Sequence, residues 1–136
     1  MIQKLTHVTV YVRNEDEALA FFTGKLGFQK KDDSVLGPGG PRWLTVTPPG
    51  QPELEFTLFN PTTWWKGEEA QRAVAQIGHQ AMLILSTDDI DADCRALQAA
   101  GVSMTTDGVR ELPWGRDLVF RDLYGNLYNL VQSRRE

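Results

Sequence analysis

The sequence predicts an α+β domain that contains one β-α-β-β-β unit twice in tandem. A strand, a helix and three more strands are predicted twice in the same order, and a glycine, Gly27 or Gly101, follows each helix. Superposing Gly27 on Gly101 also places Arg42 on Arg116, and we call this alignment of the two units the glycine shift. A single unit would leave a four-stranded sheet with an unpaired edge, so the two units are expected to associate.

The length and composition are those of one compact domain. The chain has 136 residues, of which 41% are hydrophobic and 24% are charged. A chain of this size can bury roughly two-thirds of its unfolded surface without disulfides or metals. Within this single domain we place the first unit at residues 1–60, a connecting segment with a short helix at residues 61–78, and the second unit at residues 79–136.

The first unit begins with a strand over residues 5–12, because "LTHVTVYV" alternates with period two and is rich in β-branched residues. Asn14 can cap a helix over residues 15–26, whose first turn is acidic and whose apolar residues recur at helical spacing. Gly27 can supply the left-handed residue that ends this helix. Three extended segments follow between turns rich in glycine and proline, at residues 28–35, 42–47 and 53–59.

The connecting segment and the second unit follow the same logic. Residues 68–76 suit a short helix, and "QAMLILST" at residues 80–87 restarts the pattern as a strand. An acid-capped helix is predicted over residues 89–100 and ends at Gly101. The remaining strands are predicted near residues 102–106, 117–122 and 127–132.

Charge, cysteine use and hydropathy exclude several classes of protein. The formal net charge of -4 repels a phosphate backbone, which argues against a nucleic-acid partner. The longest apolar stretches fall far short of the ~20 residues that a membrane span requires. The single cysteine, Cys94, cannot close an intrachain disulfide, and no secretory signal pattern is apparent, so a reducing cytoplasm is predicted.

Three stretches carry a resemblance to a known superfamily: "HVTVYV…EDEALAFFTGKLGF", "DDIDADCRALQAAGV" and "VFRDLYGNLYNLVQ". Together with the duplicated unit, they resemble the vicinal oxygen chelate superfamily of glyoxalases, bleomycin-resistance proteins and extradiol dioxygenases, over nearly the whole chain. Leu123 stands where the F-x-D-x-x-G-N turn of that superfamily more often has proline. The resemblance implies cup-shaped mixed sheets of the glyoxalase/bleomycin resistance-type fold, with a ligand cavity in each cup, and a homodimer.

The resemblance also implies candidate metal ligands. In metal-dependent members, four side chains from the first and fourth strands of the two units converge on one divalent metal, typically His, Glu, His and Glu. This chain has His7 on its first strand and Glu55 on its fourth. Strand periodicity places Glu53 and Thr57 on the same side as Glu55, facing the cup. His7 and Glu55 are therefore the candidate catalytic or metal-binding pair, either as a vestigial metal site or as a metal-free acid and base.

The second unit departs from this ligand pattern at the position equivalent to His7. Counting back seven residues from Asp89, the counterpart of Asn14, gives Met82, whereas the glycine shift gives Ala81. Neither residue is a histidine. A thioether is a weak ligand for nickel, zinc, manganese or iron, the metals that the superfamily implies.

The fourth ligand position departs as well. The glycine shift maps Glu55 onto Asn129, an amide that brings no negative charge to a cation. His79 is an alternative ligand at the start of the fifth strand, but using it would reverse the face of that strand. A tightly held catalytic metal is therefore disfavoured, because replacing first-shell ligands should cost more than the ~10- to 100-fold that second-shell changes cost.

Aromatic and apolar residues on the two sheets are candidates for lining a ligand cavity. The tryptophans lie next to polar turns and are consistent with ligand stacking, with packing beneath a loop or with a dimer interface. Arg42 and Arg116 can pair with acidic neighbours or anchor an anionic ligand. The residues predicted to line the cavity are Tyr11, Trp43, Met82, Trp114, Tyr128 and Asn129.

Two functions remain open from the sequence. The favoured one is a protein that binds a small organic molecule without a full catalytic metal site, with a modest preference for cationic ligands because of the acidic balance. The alternative is a metal-dependent isomerase, a glyoxalase-type lyase or a dioxygenase that uses His7, Glu55 and either His79 or Asn129. Whether the protein is an enzyme is left undecided, because this fold carries many unrelated activities.

Overall fold

The structure is a computed structural model that describes residues 1–134. It contains two four-stranded mixed sheets, which confirms the predicted α+β class with two β-α-β-β-β units. The elements of the first half are β1 (His7–Tyr11), α1 (Glu15–Ala20) with a π-helical continuation (Phe21–Lys25), β2 (Gln29–Val35), β3 (Arg42–Thr47) and β4 (Glu55–Phe59). The elements that follow are α2 (Pro61–Trp64), α3 (Gly67–Gln76), β5 (Leu83–Ser86), α4 (Ile90–Ala99), β6 (Arg110–Leu112), β7 (Gly115–Arg121) and β8 (Leu127–Ser133).

Both sheets have the same topology. The strand orders are β1-β4-β3-β2 and β5-β8-β7-β6, so the first and fourth strands of each unit are neighbours. These neighbours run parallel, and the other pairs run antiparallel. The chain divides after Ile77 into two compact units, each with one of the sheets.

The core of the first unit lies between α1 and one face of its sheet. The side chain of Asn14 accepts a hydrogen bond from the backbone N–H of Glu17 (2.8 Å), which starts α1 as predicted. Phe22 is fully buried and its ring lies 6.2 Å from that of Phe56 on β4. The sheet contributes further apolar side chains to this core: Val10, Val12, Leu44, Val46 and Leu58.

The predicted helix over residues 15–26 is α-helical only through Ala20. From Phe21 to Lys25 it widens into a π-helix, and Leu26 N–H donates to the carbonyl of Phe21 (3.3 Å). Both consecutive phenylalanines, Phe21 and Phe22, are buried in this wider turn. The π-helical turn thus coincides with the burial of two adjacent large rings.

The second unit repeats this arrangement around α4. Asp89 caps the helix by accepting from Ala92 N–H (3.1 Å). Gly101, which follows the helix, has φ +76°, the same value as Gly27 after the first helix. The buried core residues are Ile90, Cys94, Leu97, Val102, Leu118, Phe120, Tyr128 and Leu130.

One predicted strand lies elsewhere. The sixth strand was expected near residues 102–106, but it forms at Arg110–Leu112. Met104, within the expected segment, makes only an isolated bridge to Phe120. Leu112 pairs with Gly115 across a turn of two residues, so the short hairpin to β7 fixes the strand and its register.

The equivalent arginines Arg42 and Arg116 each join a helix to the adjacent sheet. Arg42 Nη1 lies 2.7 Å from Asp16 Oδ1 in α1, and Arg42 Nε lies 2.8 Å from Asp33 Oδ1 in β2. The hydrogen bonds from Arg42 lower the pKa of the Asp33 carboxyl, against the opposing effect of its partial burial. Arg116 makes the same kind of bridge in the second unit, to α4 and β6. Of the two roles left open by the sequence, pairing with acidic neighbours is the one observed.

Helix length also bears on membrane insertion. No helix within residues 1–134 combines the length and the apolar character needed to cross a bilayer.

Candidate functional site

The face of the first sheet that points away from α1 carries polar and aromatic side chains. Phe56 and Leu58 are buried on the helix side of β4, so Glu55 and its alternate neighbours point the other way. We call this side the outer face of the first sheet. It consists of His7, Thr9 and Tyr11 of β1, Trp43, Thr45 and Thr47 of β3, and Glu55, Thr57 and Phe59 of β4.

Glu55 is a carboxylate held largely out of solvent on the outer face. Its side chain is only 14% exposed, and the hydroxyl of Thr45 donates to Oε1 (2.8 Å). Two cationic or ionisable groups lie near Oε2: His7 Nε2 at 3.4 Å and Lys31 Nζ at 3.9 Å. These partners offset the free-energy cost of holding a charge away from water. Oε2 can still accept a hydrogen bond from a further donor.

The strand register brings His7 to Glu55. β1 and β4 are parallel, with His7 directly opposite Glu55. The imidazole Nδ1 lies 2.9 Å from the hydroxyl of Thr6, and the ring centroid lies 5.8 Å from that of Trp43. The structure thus brings together three of the residues predicted from the sequence, the candidate pair His7 and Glu55 and the cavity candidate Trp43. Glu53, by contrast, precedes β4 and is exposed.

Five aromatic side chains form what we call the aromatic cluster, which meets this polar pair where Trp43 approaches His7: Tyr11, Trp43, Phe59, Trp64 and Trp65. Trp64 stacks on Phe59 with ring centroids 5.5 Å apart and an interplanar angle of 16°. Trp43 meets Trp64 edge to face at 6.1 Å, and Trp65 lies 4.9 Å from Phe59. Aromatic rings held in such arrangements present large apolar surfaces with little rotational freedom.

A short helix positions part of the aromatic cluster. The side chain of Asn60 accepts from Thr62 N–H (3.1 Å) and starts α2, with Pro61 in its first turn. Trp64, at the end of α2, donates its indole N–H to the carbonyl of Arg42 (3.2 Å), which fixes the ring over β3.

The sequence interpretation missed several of these groups. Thr45, Lys31 and Phe59 were not candidates, and α2 was not predicted. Signals for two of them were present: Phe59 lies four residues after Glu55, on the same strand face, and Asn-Pro is a common helix start. The approach of Lys31 depends on strand pairing and had no local signal.

The two units are not related by one constant shift. A backbone bond runs from Val12 N to Phe59 O (2.9 Å) at the end of β1 and β4, and its counterpart runs from Thr87 N to Val131 O (3.0 Å). The glycine shift corresponds to an offset of 74 residues between the two units. The equivalent residues of β1 and β5 are instead 75 residues apart, and those of β4 and β8 are 72 residues apart. This difference between the strands changes which side chains are equivalent.

The counterpart of His7 on this register is Met82 and not Ala81. Met82 directly precedes β5 and is 47% exposed. The side chain offers a thioether at a position where the superfamily pattern has an imidazole.

Asn129 is not the counterpart of Glu55, which corrects the equivalence expected from the glycine shift. Aligning Phe59 with Val131 makes Leu127 equivalent to Glu55 and Asn129 equivalent to Thr57. The loop between β7 and β8 is two residues shorter than that between β3 and β4, spanning residues 122–126 instead of 48–54. The shorter loop moves β8 by two residues, which preserves its buried face.

Asn129 belongs to a polar group that sequence reasoning did not identify. Its amide donates to Asp117 Oδ2 (2.9 Å) and to the carbonyl of Leu118 (3.2 Å). Asp117 is 4% exposed and accepts two bonds from Arg110, both at 2.9 Å. The hydrogen bonds from Arg110 lower the pKa of the Asp117 carboxyl, with a smaller contribution from Asn129. The Asp117 carboxylate thus accepts its hydrogen bonds from residues of the second sheet.

Replacing Arg110 with methionine is expected to destabilise the protein in a pH-dependent way. The lowered pKa of Asp117 means that its pairing stabilises the fold above about pH 4 and that this contribution is lost as the pH falls through the folded-state pKa. The difference in melting temperature between wild type and Arg110→Met should therefore be largest near neutral pH and shrink toward pH ~3. Thermal melts across this range measure it, and a pH-independent difference would contradict the assignment.

The other candidate residues are not part of the outer face of the first sheet. His79 is exposed in the segment between α3 and β5. Trp114 is 64% exposed in the turn between β6 and β7. Tyr128, expected to line a cavity, is instead 1% exposed in the core, where alternation on β8 places it beside Phe120. Burial and the nearby charge of Asp122 raise the pKa of Tyr128.

The donor set does not match the four-ligand pattern that the superfamily uses for a divalent metal. His7 and Glu55 are two suitable donors, but the equivalent positions of the second sheet hold Met82 and Leu127. Among residues 1–134, no group of three or more His, Cys, Asp or Glu side chains is arranged to hold a metal ion. Lys31, at 3.9 Å from Glu55, already brings a positive charge to this carboxylate.

The fold and the outer face define a protein of the vicinal oxygen chelate type, with two β-α-β-β-β units. Residues 4–130 match the family described as Glyoxalase/Bleomycin resistance protein/Dioxygenase superfamily. The chain belongs to this superfamily.

Three proteins are examples of similar sequences or structures. An uncharacterized protein of Shewanella frigidimarina (strain NCIMB 400) is 33% identical over 97% of this chain and 95% of its own length. The crystal structure of UcmS2 is similar at 33% identity and a TM-score of 0.83, covering 96% of this chain and 98% of UcmS2. TnmS3, described as an antibiotic binding protein from Streptomyces sp. CB03234, is similar at 32% identity and a TM-score of 0.77, covering 97% of both chains.

Proposed function

We propose that this protein binds a small planar organic molecule on the outer face of the first sheet and does not require a catalytic metal to do so. The observation that carries the proposal is the aromatic cluster, which contacts His7 through Trp43, next to the largely solvent-shielded carboxylate of Glu55. Stacking surfaces next to a few convergent polar groups are typical of small-molecule sites. The antibiotic-binding description of the relative TnmS3 favours the same reading.

The aromatic cluster would supply most of the binding energy. Trp43 and Trp64 meet edge to face, so their rings form two walls at a large angle, 84°. A planar ligand can lie flat on one wall and meet the other with its edge, the geometry that aromatic pairs prefer. Trp65 is 37% exposed and can cover a ligand from the solvent side.

Glu55 would orient the ligand. Thr45 holds one carboxylate oxygen at 2.8 Å, while the other is only loosely approached by His7 at 3.4 Å and Lys31 at 3.9 Å. An N–H donor on the ligand can therefore bond to Oε2 with better geometry than its present partners. Because these two partners already offset the charge of Glu55, the ligand needs a donor more than it needs a full positive charge.

The proposal is tested with three soluble bicyclic aromatic probes that differ in their polar groups; 4-quinolone and chromone share a six-six ring skeleton, and indole has a five-membered ring. 4-Quinolone carries an N–H and a carbonyl, indole carries the N–H alone, and chromone carries the carbonyl alone. Each is titrated into isotope-labelled, chelator-treated protein while the indole N–H signals of the tryptophans are followed by NMR. Ligands of this size should bind with dissociation constants on the order of 1 mM.

We expect the signals of Trp43, Trp64 and Trp65 to shift, while that of Trp114 in the β6–β7 turn serves as an internal control. The absence of any such shift up to about 5 mM of all three probes would contradict the proposal. Stoichiometric nickel, zinc, manganese or iron in protein purified without chelator, released by Glu55→Gln, would favour the metal-dependent enzyme instead. The proposal keeps the expectation of a cytoplasmic homodimer.

A further inference from the structure

The hydroxyl of Thr57 stands out on the outer face of the first sheet. Thr57 is 3% exposed, and its Oγ1 is buried without a hydrogen-bond partner. Among residues 1–134 it is the one buried side-chain oxygen or nitrogen in that condition. Buried polar groups are nearly always paired, so an unpaired hydroxyl calls for a specific cause.

The neighbouring buried threonines are fully engaged. Thr45, directly opposite Thr57, donates to Glu55 (2.8 Å) and accepts from Asp32 N–H (3.1 Å). The hydroxyl of Thr47, on the same face, lies 2.8 Å from the carbonyl oxygen of Gln51 and 2.6 Å from that of Leu54. The unpaired state is therefore a property of Thr57 and not of threonines on this sheet in general.

The second unit shows that the same sheet position can be satisfied internally. Asn129, the counterpart of Thr57, bonds to Asp117 and to the carbonyl of Leu118. Valine has nearly the volume of threonine, suits a central strand and would leave nothing unpaired at residue 57. Stability alone would thus favour another residue at this place.

We infer that Thr57 determines ligand specificity by donating its hydroxyl hydrogen to a carbonyl acceptor of the bound molecule. The inference rests on the proposed function and narrows its ligand class. Thr57 lies two residues from Glu55 on one strand face, so the two side chains emerge roughly 6.6 Å apart. The ligand is accordingly a planar ring system with an N–H donor for Glu55 at one end and a carbonyl for Thr57 at the other.

The burial of the hydroxyl sets a condition for this contact. A ligand reaches Thr57 only when a covering side chain rotates aside. Rotamer changes of exposed side chains take picoseconds to nanoseconds, which is fast compared with binding. Trp65, which contacts Tyr11 and Phe59 of the same sheet, is the member of the aromatic cluster that is exposed enough for such a change, at 37% exposure.

The test is Thr57→Val, measured with the same three probes. Binding of 4-quinolone and chromone, which carry the carbonyl, should weaken by about fivefold, while binding of indole should stay within about twofold. The melting temperature without probe should rise by roughly 2 to 5 °C, because an unpaired buried hydroxyl has been removed. Thr47→Val is the matched control and should lower the melting temperature, since its hydroxyl is bonded.

Each other outcome overturns the inference. An equal effect of Thr57→Val on all three probes, or none, removes the carbonyl contact while leaving the proposed function intact. A lowered melting temperature means that the hydroxyl has a structural partner. Thr57→Ser keeps the hydroxyl and should preserve the preference for the carbonyl probes. If the folded Thr57→Ser variant loses this preference, the role of Thr57 is equally contradicted. Failure of all three probes to bind wild type contradicts the proposed function itself.

Discussion

Replacing Glu55 with glutamine is expected to weaken binding of 4-quinolone and indole by about tenfold and to leave chromone binding nearly unchanged. A hydrogen bond to a charged acceptor is worth about 1 to 1.5 kcal/mol more than one to a neutral acceptor, which corresponds to roughly this factor. Chromone lacks an N–H and does not use the carboxylate. The NMR titration of the tryptophan signals measures all three dissociation constants.

Glu53→Gln provides the matched control for this prediction. It makes the same chemical change two residues earlier, at an exposed position before β4. Binding of all three probes should be unaffected. If both variants weaken binding equally, the effect is one of overall charge, and Glu55 does not contact the ligand.

Replacing Asp122 with alanine is expected to lower the free energy of unfolding by about 3 to 5 kcal/mol. Asp122 is 6% exposed and is the aspartate of the F-x-D-x-x-G-N turn. Its Oδ1 accepts from the backbone N–H of Tyr124 (2.9 Å) and of Asn126 (3.0 Å). Its Oδ2 accepts from the side chains of Asn126 (3.0 Å) and Tyr128 (2.8 Å). Alanine would leave these four donors without their acceptor, and most of these hydrogen bonds are buried.

Urea unfolding measures this effect, with Asp107→Ala as control. Asp107 is an exposed aspartate in a loop of the same unit, and its replacement should change the unfolding free energy by less than about 0.5 kcal/mol. A change of similar size in the two variants would show that the turn does not depend on its buried carboxylate.

The duplicated fold was predictable because its signals are local. Asn14 and Asp89 cap their helices as expected, and Gly27 and Gly101 end them with matching backbone geometry. The position of β6 was wrong because a turn of two residues, and not strand propensity, selects the residues that pair with β7. This turn is local, but its residues Pro113 and Trp114 are not among the pairs typical of two-residue hairpin turns, so it was not recognised in the sequence.

The candidate site was predictable only in part. The adjacency of His7 and Glu55 followed from motif position and strand alternation. The position of Trp64 depends on α2, a helix of four residues, and the loose approach of Lys31 depends on a neighbouring strand. Asn129 was misassigned because a constant shift between the units overlooks a change in loop length.

That change in loop length shows how a duplicated protein can acquire new specificity without refolding. Removing two residues from the hairpin before β8 slides the strand by one full pleat, so every apolar side chain that must be buried remains buried. The residues on the opposite side are exchanged for their neighbours in a single event. Insertions and deletions of even length in these hairpins are therefore a means of diversifying recognition, whereas those of odd length would turn the strand inside out.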